Sequence, residues 1–162
     1  TGSGCIAIAL KKNLSDVNVF AIDISDESLL VAGANAMLNQ TKINFWQTDI
    51  FNQHINLPIN KFDIIVSNPP YILSSEKKKM AKNVLFYEPH IALFVSDDNP
   101  LLFYKAIADF AKKNLNKTGK LYLEINETLG SAIKKLFREK GYKNVEIKKD
   151  MSNKERMVKV NW

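Results

Sequence analysis

Phe62-Asp63-Ile64-Ile65-Val66-Ser67-Asn68-Pro69-Pro70-Tyr71 is the stretch whose reading decides the fold. Its first six residues form a short apolar run, which predicts a buried strand ending at Asn68. Two consecutive prolines cannot extend a parallel ladder, because neither has an N–H and both fix φ. The chain must therefore leave the sheet rigidly at the strand's carboxyl end, with an amide side chain before the prolines and an aromatic ring after them. In open α/β sheets that edge is where ligands bind. A stiff turn offering carbonyl acceptors and a flat ring suits a planar substrate group bearing an NH2. Taken alone, the same four residues read equally well as a strand-ending turn with Tyr71 packed on it.

Upstream, Thr1-Gly2-Ser3-Gly4 runs straight into an apolar helix pattern that reaches about Asn13. In a nucleotide-binding α/β unit such a glycine turn follows a first, buried strand. No strand precedes it here, so the expectation is that the chain begins one element late. Val17 to Asp23 is an apolar run ending in a carboxylate, read as a buried parallel strand. Asp23 stands 19 residues beyond Gly4, close to the spacing of about 20 at which an acidic residue meets a ribose. The alternative makes Asp23 or Asp26 only a cap, since Ser25-Asp26-Glu27 opens the next helix with capping chemistry. Leu29 to Asn39 has helical periodicity, with Leu30, Ala34, Met37 and Leu38 on one face. Ile43 to Asp49 alternates apolar and polar residues into a second strand-terminal aspartate. If the two strands are parallel neighbours, Asp49 lies in line with Asp23. A carboxylate there can accept from an exocyclic amine such as that of adenine, and Ile50 and Phe51 could wall an apolar slot beside it. A single aspartate at a strand end is otherwise an ordinary cap.

Downstream, Leu73 to Asn99 has no convincing periodicity and carries Lys77-Lys78-Lys79, Tyr87-Glu88-Pro89-His90 and Asp97-Asp98. A loop of that length in a compact domain is functional or disordered, and its place after the motif argues for substrate contact. His90 has no companion at ligand spacing and His54 is remote, so no metal site is expected. Leu101 to Leu115 reads as an amphipathic helix with Asn99-Pro100 as its cap and first residue. Thr118-Gly119 reads as a turn, Lys120 to Ile125 as a strand, and Thr128 to Lys140 as a helix stopped by Gly141. Val145 to Lys148 and Arg156 to Val160 alternate like antiparallel partners around Ser152-Asn153-Lys154.

The 162 residues are 46% hydrophobic and 25% charged, which suits one α/β domain spanning 1–162. Lys and Arg number 23 against 17 Asp and Glu, a net charge of +6 that favours an acidic or nucleic-acid partner. The one cysteine, Cys5, excludes an internal disulfide and suits a reducing, cytoplasmic compartment. Its apolar surroundings read it as a small core residue. No stretch approaches the roughly 20 apolar residues that span a bilayer, and no signal peptide is visible.

The β-α repeats followed by two closely spaced strands resemble a class I S-adenosylmethionine-dependent methyltransferase. That implies a Rossmann-like α/β fold: a mostly parallel twisted sheet with one antiparallel edge strand and helices on both faces. Thr1-Gly2-Ser3-Gly4, Asp23, Asp49 and Ser67-Asn68-Pro69-Pro70-Tyr71-Ile72 further resemble the release-factor glutamine methyltransferases of the HemK type. Tyr87-Glu88-Pro89 and the Asp150 to Arg156 stretch belong to the same resemblance, which spans nearly the whole chain. The family pattern also has an N-terminal helical domain that binds the release factor, a first strand and a first glycine of the cofactor turn. This chain departs from it in showing none of them.

The resemblance implies that Thr1, Gly2, Ser3 and Gly4 approach the methionine part of S-adenosylmethionine, that Asp23 binds its ribose, and that Asp49 and Ile50 meet its adenine. It implies that Asn68 touches cofactor and substrate, and that Pro69, Pro70 and Tyr71 complete the substrate slot. An amide nitrogen is a poor nucleophile because its lone pair is delocalised into the carbonyl. The Asn68 side-chain oxygen and the Pro69 carbonyl could hold its two N–H bonds while Tyr71 stacks on the amide plane, so that catalysis is mostly positioning, an effect worth up to roughly 7–11 kcal/mol. One rival reading is an enzyme methylating an exocyclic amine, such as that of adenine, in DNA or RNA. No added target-recognition segment or basic-aromatic stripe supports it. A second rival is a non-catalytic S-adenosylmethionine-binding module.

Overall fold

The computed structural model describes all residues except 53, 54, 56, 58, 60, 81–84 and 86–88, and the side chain of Lys79. The chain folds as two compact units, residues 1–57 and 58–162.

In the first unit the glycine turn leads into helix α1 (Cys5–Asn13), strand β1 (Phe20–Asp23), helix α2 (Asp26–Leu38) and strand β2 (Asn44–Gln47). The strand read from Val17 is ladder-paired only from Phe20. β1 and β2 run parallel, with Phe20 opposite Asn44 and Asp23 opposite Gln47. Ala7, Val19 and Ala21 form a small core against Leu10, Ile43 and Phe45. Ser25 caps α2 as its residue type predicts, its hydroxyl accepting from the Ser28 N–H at 3.1 Å.

Two expectations fail here. Leu30, Met37 and Leu38 are 68%, 80% and 81% exposed, and Ala34 is exposed as well. The buried face of α2 is Leu29, Ala32 and Ala36. The helix is apolar nearly all round, so helical spacing fits both faces and cannot choose between them. Close approach chooses. Gly4 has φ +81°, and a Cβ built there would stand 3.0 Å from the Ala32 Cβ, so only the alanine face admits the glycine turn. Cys5 is exposed rather than part of the core, since α1 buries Ala7 and Ile8 instead.

The second unit contains β3 (Phe62–Ser67), β4 (Ile72–Leu73), a 3-10 turn (Ser74–Lys79), α3 (His90–Leu93), β5 (Phe94–Val95), α4 (Leu102–Asn114), β6 (Leu115–Glu124), α5 (Gly130–Glu139), β7 (Asn144–Lys149) and β8 (Glu155–Asn161). Four strands form a sheet in the order β3-β6-β8-β7. β3 is parallel to β6, and β8 is antiparallel to both β6 and β7. The antiparallel strand thus lies one place in from the edge at which it was expected, and β7 closes the sheet pointing the same way as β6. Leu121, Leu123, Ile125, Val158 and Val160 pack with Tyr104, Ile133 and Phe137 in the core. The Tyr142 hydroxyl donates to the Ala108 carbonyl at 2.9 Å, and its ring stacks on Trp162 with centroids 4.4 Å apart.

β3 departs from the buried strand its apolar run predicts. It pairs only with β6 among the described residues, and Ile64 and Val66 are 50% and 39% exposed. They stand level with Lys120 and Tyr122, on the face of the sheet opposite Leu121 and Leu123. Pairing between β3 and β6 jumps from Phe62–Leu115 to Ile64–Lys120. Residues 116–119, read as a turn at Thr118-Gly119, are therefore an excursion within β6. Helices α4 and α5 begin at Leu102 and Gly130, two residues inside some of the capping signals. The region read as a structureless loop after the motif is tied at both ends. β4 and β5 pair in parallel through Ile72–Phe94 and Leu73–Val95, and Asp97 accepts from the backbone N–H and the hydroxyl of Ser75.

The two units differ in charge: residues 1–57 carry 3 Lys against 5 Asp and Glu, a net −2, and residues 58–162 carry 20 Lys and Arg against 12 Asp and Glu, a net +8.

Replacing Leu29 by alanine is expected to cost about 2–5 kcal/mol in urea denaturation. Leu38→Ala, on the face the periodicity favoured, should change stability by less than about 0.5 kcal/mol.

Candidate functional site

In the first unit, the parallel pairing of β1 and β2 brings two aspartates to one sheet edge. Asp23 ends β1, and the Thr48 N–H donates to its carbonyl at 2.9 Å, which places Asp49 just past the same carboxyl edge. The Asp23 carboxylate gathers the glycine turn. Its Oδ2 accepts from the Gly2 N–H at 2.8 Å and the Thr1 amino group at 2.9 Å, and its Oδ1 accepts from the Ser25 N–H at 3.0 Å. Burial opposes the charge, yet the Gly2 and Ser25 N–H groups hold the Asp23 carboxyl below the usual carboxylate range. Asp23 is therefore a cap for helix α2's entry and the fastener of the glycine turn at once.

Gly2 has φ +56°, and a Cβ there would meet nothing within 4 Å. The open face of the turn is thus available to a ligand, whereas Gly4 is closed by Ala32. Asn35, which the sequence did not single out, donates from Nδ2 to the Ser3 carbonyl at 2.9 Å and holds the turn from the helix side. The Asp49 carboxylate accepts from the Phe51 N–H at 2.9 Å. Ile50 beside it is partly buried.

In the second unit, β3 delivers Asn68-Pro69-Pro70-Tyr71 at its carboxyl end. Pro69 is buried and Asn68 exposed. Among the described residues, neither the Asn68 side chain nor the Pro69 carbonyl has a hydrogen-bond partner. Tyr71 is fully engaged. Its hydroxyl donates to Glu124 Oε1 at 2.6 Å, and the Arg156 guanidinium bears on the same hydroxyl. Burial, followed by the Glu124 hydrogen bond and charge, pushes the phenol up to about 12. Asn126, a buried polar residue of the core at 4% exposure, ties this turn to two other segments. Its Nδ2 donates to the Tyr71 carbonyl at 3.2 Å and to Glu76 Oε2 at 2.8 Å. Its Oδ1 accepts from the N–H and hydroxyl of Thr128 at 2.9 and 2.8 Å.

Glu124, Asn126 and Glu76 escaped the sequence reading. Glu124 had a usable signal, since it ends a strand as Asp23 ends its own. The bonds that bring Asn126 to Tyr71 and Glu76 had none, because they span 55 and 50 residues. Of the Tyr87-Glu88-Pro89 segment, Tyr87 and Glu88 lie outside the described residues, as does His54. Pro89 precedes α3.

The sequence pattern of the methyltransferase small domain matches residues 1–96. The chain belongs to that family. It is 50% identical to the release factor glutamine methyltransferase of Flavobacterium psychrophilum, covering 100% of this chain and 56% of that protein. It is 43% identical to the release factor glutamine methyltransferase of Bacteroides thetaiotaomicron, covering 99% of this chain and 58% of that protein. The chain thus spans less than two thirds of these relatives. A methyltransferase structure from Pyrococcus furiosus matches it with a TM-score of 0.67 at 20% identity, over 96% of this chain and 67% of that one. The family's fold here is the Rossmann-like α/β arrangement of the methyltransferases, with a mixed sheet.

Asn126→Ala leaves the Tyr71 carbonyl and Glu76 without their donor and is expected to cost about 1–3 kcal/mol in urea denaturation. Because the Asp23 carboxyl is depressed on folding, its stabilising contribution is complete above about pH 4 and lost as pH falls. Carboxyl NMR titration should place Asp23 below the other aspartates, and Asp23→Asn should flatten the acid limb of stability.

Proposed function

We propose that residues 1–162 form the catalytic domain of an N-methyltransferase that moves a methyl group from S-adenosylmethionine to the side-chain amide nitrogen of a glutamine in a peptide chain release factor. The single observation carrying this reading is the pair of acceptors without a partner among the described residues, the Asn68 side-chain oxygen and the Pro69 carbonyl, on a turn whose Tyr71 is held at its hydroxyl and its carbonyl. A primary amide has two N–H donors in one plane, and the two acceptors match them. Held there, the amide nitrogen presents its lone pair out of plane, and the ring of Tyr71 can stack on the amide. Asn68, Pro69 and Tyr71 are the catalytic groups, with Pro70 completing the slot.

S-adenosylmethionine supplies an electrophilic methyl group on sulfonium sulfur. The first unit's residues suit such a ligand. Gly2 leaves the turn open, Asp23 has accepted three donors of the roughly four a carboxylate can take, and Asp49 and Ile50 offer an acceptor beside an apolar surface. Thr1, Gly2, Ser3 and Gly4 are assigned to its methionine portion, Asp23 to its ribose, Asp49 and Ile50 to its adenine, and Asn68 to cofactor as well as substrate. The likeness to two release factor glutamine methyltransferases supports the release factor as substrate. Translation termination would place the protein in the cytoplasm. No helix among the described residues is long and apolar enough to cross a membrane. The net +8 of residues 58–162 favours, as a second reading, methylation of an exocyclic amine in nucleic acid.

Transfer of labelled methyl from S-adenosylmethionine to a release factor tests both readings. Asn68→Ala is expected to lower transfer at least about 100-fold, with cofactor affinity by calorimetry within about three-fold of wild type. Wild-type turnover by that variant would sink the assignment, and label entering oligonucleotide instead of release factor would favour the second reading.

A further inference from the structure

We propose that Glu124 is a positioning residue that fixes the plane of the Tyr71 ring, so that Tyr71 serves the reaction with its ring face and takes no part in proton transfer. The proposal rests on the amide-methylation reading and deepens it.

A free tyrosine side chain turns about χ1 and χ2, and a ring that must lie flat on a substrate amide needs an outside restraint. Here the restraint comes from the end of the ring. The phenol has one proton to donate and an oxygen that can accept. Glu124 Oε1, at 2.6 Å, takes the proton, and the positive charge of Arg156 acts on the same hydroxyl. With its one proton committed to Glu124, the hydroxyl has none to donate to a substrate. Tyr104 stands behind this pair, its hydroxyl donating to the Glu124 backbone carbonyl at 3.3 Å.

Glu124 and Arg156 are themselves anchored. Glu124 is the last residue of β6 and pairs with Met157 of β8, one residue beyond the Ser67–Leu123 pairing to β3. Arg156 sits on β8, where its Nε donates to Asp150 Oδ2 at 3.3 Å and its terminal nitrogen lies 3.7 Å from Glu127 Oε2. Asp150 also organises the β7–β8 turn, its Oδ1 accepting from the N–H groups of Ser152 and Lys154 at 2.9 and 3.0 Å. Asn126 meanwhile holds the Tyr71 carbonyl. The ring is thus held at the backbone by Asn126 and at the hydroxyl by Glu124, leaving its face as the part free to act. A displaced ring would still admit substrate, but it would hold the amide at a wrong angle, which is a loss of turnover rather than of binding.

The test is a mutant cycle in the full chain, read by turnover and by the ionisation of Tyr71 followed with ring-labelled tyrosine NMR. Glu124→Ala is expected to lower kcat at least about 10-fold with KM for the release factor within about two-fold, and Glu124→Gln, which keeps an acceptor, to recover most of that loss. Tyr71→Phe should lower kcat similarly, and adding Glu124→Ala to it should cost nothing more. In the NMR titration of Glu124→Ala, the phenol should ionise at lower pH than in the wild type. Additive losses in the double variant, a KM rise with kcat unchanged, or an unshifted phenol would each overturn the proposal. Absence of methyl transfer by the wild-type protein, with the phenol shift still seen, would instead defeat the amide-methylation reading and leave the clamp on Tyr71 standing.

Discussion

Two prolines in succession deny the chain the ladder hydrogen bonds that would otherwise hold it beside β6, and the rest of the second unit compensates for that loss. The turn they create has no backbone pairing of its own at Pro69 and Pro70, so its geometry depends on side chains reaching in from elsewhere. The Tyr71–Glu124 hydrogen bond and the bond from Asn126 to the Tyr71 carbonyl supply that support from the carboxyl end of β6 and the residues just after it. Among the described residues, the amide oxygen of Asn68 and the carbonyl of Pro69 are left without a partner at the turn.

The first unit solves a similar problem with backbone donors. A glycine turn has little side-chain mass to pack, so it is held by the Asp23 carboxylate below and Asn35 beside it. Gly4 and Ala32 come close enough to exclude any larger pair, whereas Gly2 faces open space. The glycines thus serve different ends. One permits helix packing, and the other leaves a surface uncovered. The parallel register of β1 and β2 carries Asp49 to the edge where Asp23 stands, and two carboxylates on one edge suit a ligand rich in hydroxyl and amino donors.

The charge of the molecule is unevenly placed, with the excess of cations confined to residues 58–162. Several of them are neutralised locally, as Lys154 is by Glu127 at 2.9 Å and Lys140 by Asp109 at 2.5 Å. Such exposed pairs contribute little to stability. Their effect is on encounter with a partner, which the local net charge steers before any specific contact forms.

Much of this protein was legible in its sequence where a residue's chemistry acts on its own backbone. Proline stopped β3, Ser25 capped α2 and strand-end aspartates marked the sheet edge, because each depends on neighbours within a few positions. The family resemblance rested on the same local motifs. Tertiary structure alone decided which face of α2 is buried, because a helix with apolar residues on both faces satisfies helical spacing twice and only the clearance at Gly4 breaks the tie. It alone set β8 inside the sheet and left Ile64 and Val66 half-exposed, because strand order depends on long-range pairing. It also recruited Glu124 and Asn126 to Tyr71 across 53 and 55 residues, a distance over which no sequence period or spacing carries information.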